Sequence, residues 1–359
     1  MSMNRRTILQ VLGGTAIGAG VGSAALRPSG AAALTSRDNL GPKKVWVLQQ
    51  VSSKAELLKT YRAQIANCRA TVPAVGGFGL RIAWSSYVAD KTILDAGKMV
   101  ADENGLEFSF RFMAGRWTPA SVLTAMGSSC YATKSSGERF PKPFNSAGSG
   151  GNPVFESAYE ALLREVATWY DANDVHLLHN SWYAMDWAEL NHGIEVRSAA
   201  GYSQAAWLTG HQRLIDIWRR VQVDHPNVVM EGPLSGYGPL TALSPKLADH
   251  MVAQFGASQR NVVLQANGWG ANGQWGAPSA TIDQQMDACF SRPLGRAVQA
   301  IQPWGGASQY GQYTVQQVQQ AIAQAEACAS DYMEIYAPTL RSVNGGAVWA
   351  TPLANWVAA

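Results

Sequence analysis

Asp186, Glu189, Glu195, Glu231 and Glu334 each fall where an apolar, β-branched run gives way to loop, or face along such a run. Paired carboxylates in such places can cleave a glycosidic bond. One protonates the leaving oxygen, and the other attacks the anomeric carbon or activates water. Asp186 and Glu189 sit inside the stretch Ser181–Gly193, SWYAMDWAELNHG. If that stretch is locally helical, Glu189 shares a face with Asp186 and His192, three residues to either side. Glu231 closes the run NVVME and precedes Gly-Pro, so the sequence expects it to project at a rim. Glu334 alternates with Tyr332 and Tyr336 on one strand face. An acid so placed is costly unless paired, and Arg81 and Arg111 on neighbouring strands are the candidate partners.

The same region offers a metal alternative. His179, Asp186, Glu189 and His192 supply nitrogen and oxygen donors, and the ExxH spacing of Glu189 and His192 could present both to one ion. The pattern is not HExxH, and no second spaced pair occurs. No cofactor-binding motif is found, and no GxSxG marks a serine nucleophile.

Aromatic residues accompany these acids. The chain has 13 tryptophans, and an indole offers flat apolar area with one donor, which suits stacking on a sugar face. Trp84, Trp117, Trp182, Trp187, Trp269, Trp275, Trp304 and Tyr336 are candidate platforms. Arg81, Arg111, His179, Asn180, His192, Asn267 and Gln302 are candidate partners for hydroxyls. Together they point to a carbohydrate ligand.

These residues need elements to hold them. Eight apolar runs alternate with helical patterns: Lys44–Gln49, Gly77–Trp84, Leu106–Phe112, Val175–Asn180, Asn227–Glu231, Asn261–Ala266, Arg296–Ile301 and Asp331–Ala337. Helices are expected over Ser53–Ala70, Asp90–Glu103, Val154–Asp171 and Thr281–Phe290. Others start from Ser203, from Ser244-Pro245 and from Thr314, which forms a capping box with Gln317. Eight strands with crossovers predict a (β/α)8 TIM barrel in a single domain, with long loops after strands three and four. A doubly wound sheet would show GxGxxG after strand one, where the sequence reads QQVSSK. Barrel active sites lie at the strand C-terminal ends, and those are the ends decorated here.

With this pattern in hand, the chain resembles retaining glycoside hydrolases of the large (β/α)8 clan that includes β-galactosidases and cellulases. The resemblance implies a barrel fold and hydrolysis of a poly- or oligosaccharide. That clan carries Asn-Glu at the end of strand four and Glu at the end of strand seven. Here strand four ends His179-Asn180-Ser181, and strand seven, RAVQAIQPWGG, offers Gln299 and Gln302. The clan's pair therefore does not transfer, and Glu189 with Glu231 are first choices, Asp186 being the alternative donor. The absent strand-seven acid motivates a second reading, a carbohydrate-binding barrel without turnover. A metal-dependent hydrolase centred on His179 and His192 is the third.

The N-terminus resembles a twin-arginine export signal. Arg5-Arg6 precede the Gly/Ala-rich run Val11–Leu26, and Gly30-Ala31-Ala32-Ala33 offers a cleavage site. Residues 1–33 read as signal and 34–359 as the barrel, secreted or in the cell envelope. No further stretch approaches a membrane span. A net charge of +3 with no basic cluster seen gives no case for nucleic acid. Cys68, Cys130, Cys289 and Cys328 lack CxxC spacing, which disfavours a zinc or redox motif, while export would permit disulfides.

Overall fold

The computed structural model describes residues 42–183, 194–235, 243–256, 262–269, 290–300 and 314–359. The strands are β1 (Lys44–Val51), β2 (Val75–Ala83), β3 (Glu107–Met113), β4 (Tyr131–Thr133), β5 (Arg139–Pro141), β6 (Leu177–His179), β7 (Met230–Ser235), β8 (Val262–Trp269), β9 (Gly295–Ala300) and β10 (Tyr332–Tyr336). Eight of them close into a barrel in the order β1, β2, β3, β6, β7, β8, β9, β10, and every neighbouring pair is parallel. The expected (β/α)8 barrel is the fold. β4 and β5 form an antiparallel hairpin in the long connection after β3. The fourth to eighth barrel strands of the sequence are thus β6 to β10.

The helices start where the capping chemistry places them. Ser53 accepts from the Glu56 amide at 3.1 Å. Asn152 accepts from Phe155 N, with Pro153 opening the helix Pro153–Ala172. Ser203 accepts from Ala206 N and starts Gln204–Asp224. Thr314 and Gln317 exchange the two bonds of a capping box, at 2.9 and 3.2 Å. Such caps contribute about 1 kcal/mol each. Ser244 is different. It is already helical, Leu243 holds the cap position, and no side-chain cap forms.

β7 departs most from the sequence reading. It was expected to stop at Glu231, yet it continues through Gly232 and Pro233 to Ser235. The Gly-Pro pair serves packing instead of a turn. A Cβ at Gly232 would lie 2.4 Å from Met251 Cε and 3.2 Å from the Trp218 ring. Pro233 has no N–H to give, but its carbonyl accepts from Trp182 Nε1 at 2.7 Å.

Trp46, Leu177, Val229, Val263, Ala297 and Tyr332 form one buried cluster contributed by six barrel strands or their approaches. Burial of such side chains is worth about 1.5–3 kcal/mol each, and it fills the N-terminal half of the barrel. Beyond that layer the interior becomes polar. No helix among the described residues is long and apolar enough to cross a membrane. The proposed export segment 1–33 and residues 281–289 of the expected sixth helix lie outside the described residues.

Candidate active site

Six neighbouring strands each send one polar side chain to the same level of the interior. They are Arg111 (β3), His179 (β6), Glu231 (β7), Gln265 (β8), Gln299 (β9) and Glu334 (β10), with Ser109 one step below Arg111. All are at most 2% exposed. Strand alternation explains the placement, because inward positions recur every second residue. The register aligns Arg111 with His179 and His179 with Glu231, and Gln299 with Glu334. Barrel interiors are normally filled by Val, Ile and Leu. A charged layer here is costly unless every member is satisfied, which makes it a candidate functional site.

The bonding satisfies most of it. Arg111 Nη2 donates to Glu231 Oε1 at 2.8 Å and to Gln265 Oε1 at 2.7 Å. It also lies 3.5 Å from Glu334 Oε2. Gln265 Nε2 donates to Glu231 Oε2 at 3.0 Å, and Gln299 Nε2 donates to Glu334 Oε2 at 3.0 Å. The Tyr332 hydroxyl donates to Glu231 Oε2. Burial, then the charges of Glu231 and Glu334, push the Tyr332 hydroxyl well above its ordinary value, so it stays a neutral donor.

His179 stands between the two acids. Its Nδ1 is 2.5 Å from Glu231 Oε2 and 2.9 Å from Arg111 Nη2. Nδ1 cannot donate to the carboxylate and accept from the guanidinium at once. The shorter contact to a carboxylate and the two partners already taken by Nη2 assign the Nδ1 proton to Glu231. Nε2 faces Ser109 Oγ at 3.2 Å and Glu334 Oε1 at 3.3 Å. The second of these lies within ion-pair distance but outside hydrogen-bond geometry, and Glu334 Oε1 makes no hydrogen bond. With carboxylate oxygens beside both ring nitrogens, the imidazole bridges the two acids.

Two residues further along the same strand faces, towards the C-terminal mouth, lie Met113 and Tyr336. Arg81 joins them, placing Nε 3.1 Å from Met113 Sδ and donating from Nη1 to the Tyr336 hydroxyl at 2.6 Å. Trp117 is half-buried and packs on Ala83 and Met113 at the ends of β2 and β3. Arg116 stacks on its ring at 4.3 Å.

The structure brings together Glu231, Glu334, Arg111 and His179 as one site, with Arg81, Tyr336 and Trp117 on its mouth side. Glu334 takes Arg111 as its partner, and Arg81 takes Tyr336 instead. Glu231 is not at a rim. It is the second residue of β7 and 0% exposed, because the strand runs on past it. Asn180 follows β6 and is 1% exposed. Among the described residues its carboxamide has no hydrogen-bond partner at either end. Two predicted platforms belong to the core instead. Trp84 packs edge-on against Phe155 and Tyr159, and Trp182 packs against Trp218 and His211. Both indoles face the helix layer because helices cover the barrel where those residues leave it. Asp186, Trp187, Glu189, His192, Trp275, Gln302 and Trp304 lie outside the described residues, as do the side chains of Asn267 and Trp269. Tyr183, the last described residue before the stretch with Asp186 and Glu189, donates from its hydroxyl to Glu156 Oε1 at 2.6 Å while Arg213 holds the same carboxylate.

Ser109, Gln265 and Tyr332 were not singled out as site residues from the sequence. The available signal was a lone polar residue at an inward position of an apolar run, as in NVVLQA.

One His179 nitrogen and one oxygen each of Glu231 and Glu334 lie within 4.8 Å of one another. That donor set alone would suit a transition metal. However, the Arg111 guanidinium occupies the same space, 2.8, 2.9 and 3.5 Å from these residues. A resident cation among the donors repels a second one, so these residues do not fit a metal ion. The ligand set expected from sequence shares only His179 with this cluster.

No protein-family model matches the chain, and no curated protein matches it. Solved structures do. A GH5-4 broad specificity endoglucanase from an uncultured bacterium is 12% identical with a TM-score of 0.53, covering 81% of this chain and 84% of its own. A thermostable mutant of a xylanase from Cellvibrio japonicus is 12% identical with a TM-score of 0.48, over 83% and 87% of the two chains. Native xylanase 10B from Thermotoga maritima is 8% identical with a TM-score of 0.49, over 84% of each. The likeness to the endoglucanase is one of fold, and this chain shares its architecture with (β/α)8 glycoside hydrolases.

Proposed function

We propose that the protein hydrolyses glycosidic bonds of a poly- or oligosaccharide, with Glu231 and Glu334 as the working carboxylates. The observation that carries this reading is their convergence from β7 and β10, with carboxylate oxygens within 4.8 Å. Retaining glycosidases hold their two carboxyl groups roughly 5–5.5 Å apart, so the anomeric configuration should be retained. Glu231 accepts from Arg111, Gln265 and Tyr332, which favours the carboxylate and suits the nucleophile. Glu334 has one oxygen without a hydrogen bond, a seat for a transferable proton. In the first step Glu334 gives its proton to the leaving oxygen while Glu231 bonds to the anomeric carbon. In the second, Glu334 takes a proton from water, whose oxygen displaces Glu231. A sugar entering from the mouth meets Arg81 and Tyr336 first, and their hydrogen bond has to open before a ring reaches Glu231. Asn180 supplies an unpaired amide for a hydroxyl, and Trp117 an aromatic face.

The test is reducing-end release from a glycan panel, with product configuration followed by proton NMR. Release with retention supports the reading, and no release from any glycan contradicts it. Comparing Glu334→Gln with Glu189→Gln separates Glu334 from the loop acids as proton donor. The reading without turnover draws on the seventh barrel strand, which offers Gln299 and Gln302 but no acid, and it requires glycan binding with no product. We read residues 1–33 as an export signal for the barrel of residues 34–359. The double variant R5K/R6K should hold the protein in the cytoplasm, and unchanged export would contradict that reading.

A further inference from the structure

The connection between β3 and the helix Pro153–Ala172 carries Arg116, Lys134, Arg139 and Lys142 against a single carboxylate, Glu138. The whole chain has 28 basic and 25 acidic residues. Removing this connection's four and one leaves 24 of each, so the entire net charge of +3 resides in this one excursion. Each of its four cations also lies over an aromatic ring. Arg116 stacks on Trp117 at 4.3 Å, Lys134 on Phe140 at 5.1 Å, Arg139 on Tyr131 at 5.4 Å and Lys142 on Phe144 at 5.6 Å. Arg116, Trp117, Tyr131, Lys134 and Arg139 are half-buried, so rings and charges both reach solvent. Trp117 ties the excursion to the barrel mouth through Met113, whose sulfur touches Arg81.

From this juxtaposition we infer that the β3 excursion is a subsite for an anionic glycan, one bearing carboxylate or sulfate groups, continuous with the mouth of the barrel. The inference rests on the proposed carbohydrate function and names its substrate class. Ring faces take the C–H side of a sugar, and guanidinium forks take its carboxylate or sulfate bidentately. Glu138 accepts from Ser136 at 2.8 Å and from Arg116 at 2.9 Å, which holds its carboxyl below the usual range. It therefore competes with an incoming anion for Arg116.

The experiment is calorimetric binding to the full chain of three hexasaccharides: a polyuronate, a sulfated glycan and a neutral glucan. The uronate or the sulfated glycan should bind roughly tenfold or more tightly than the neutral one, with the preference shrinking between about 0.05 and 0.5 M salt. The ratio of the two anionic arms identifies which group is read. R116Q/R139Q should bring binding of the anionic glycans down to that of the neutral one. E138Q should strengthen anionic binding about two- to fivefold by removing Glu138's competition for Arg116, an effect that a merely structural pair does not produce. Equal binding of neutral and anionic glycans, binding of neither class, or unchanged preference in R116Q/R139Q overturns the inference. Anionic binding without product keeps the inference and counts against hydrolysis, so the two failures are distinguishable.

Discussion

Replacing Arg111 by Met tests the charged layer directly. The side chain is 1% exposed and its Nη2 faces Glu231 at 2.8 Å and Glu334 at 3.5 Å. At an effective dielectric of about 20, those contacts correspond to roughly 6 and 5 kcal/mol of gross attraction. Desolvation of all three groups offsets most of that in the intact protein. Removing the cation alone exposes the imbalance, because two buried carboxylates then share only His179. R111M should therefore lose about 3–5 kcal/mol in urea unfolding at neutral pH. The sign of the pH dependence follows. The penalty scales with carboxylate charge, so it should be largest at neutral pH and shrink in acid. In R111M/E231Q one of the stranded charges is gone, so the double variant should cost less than the sum of the single ones. A cost under about 1 kcal/mol that does not vary with pH, with strict additivity, would refute the charge argument.

The remaining expectations concern other elements. Gly97 faces β2 and β3 from the helix Ile93–Glu103, and a Cβ there would lie 2.6 Å from Leu80 Cδ2 and 2.7 Å from Phe108 Cζ. G97A should lower thermal stability by about 1–3 kcal/mol despite alanine's helix preference, and a stabilised variant would show that the helix shifts freely. Burial alone would raise the Glu107 carboxyl, but hydrogen bonds from His176 and Lys44 outweigh it and hold it at about 2. That contribution is present above the unfolded value near 4.3 and is lost as pH falls towards about 2. E107Q should therefore flatten acid unfolding across that window, and an unchanged acid limb would count against the pairing. Burial pushes the Cys68 thiol to about 12, and its Sγ–H donates to the Ala337 carbonyl at 3.2 Å. In native protein at pH near 8, mapped thiol labelling should reach half-exposed Cys130 and spare Cys68, and rapid labelling of Cys68 would mean that its surroundings open.

The fold was legible because the strand and helix periods differ along the chain, and caps such as Ser203 and Thr314 mark helix starts locally. The Arg111–Glu334 pair was legible for the same reason, since Glu334 occupies an inward position that demands a cation. What escaped was set by tertiary contact. Gly232-Pro233 reads as a stop, yet it is there because Met251 and Trp218 approach the strand, and this moved Glu231 from the rim to the interior. Trp84 and Trp182 read as platforms because an indole suits both sugar faces and helix packing, and composition does not distinguish the two. Gln265 became visible only when the closed barrel set its carboxamide beside Glu231 and Arg111.

Under the proposed function, Glu231 and Glu334 perform the chemistry. The most direct measurement is kcat for E231Q and E334Q on the glycan that the wild type cleaves best, with folding of both checked by circular dichroism. Losses of roughly 10³-fold or more are expected in each, as when a nucleophile or proton donor is removed. Turnover near the wild-type rate in both folded variants would contradict it.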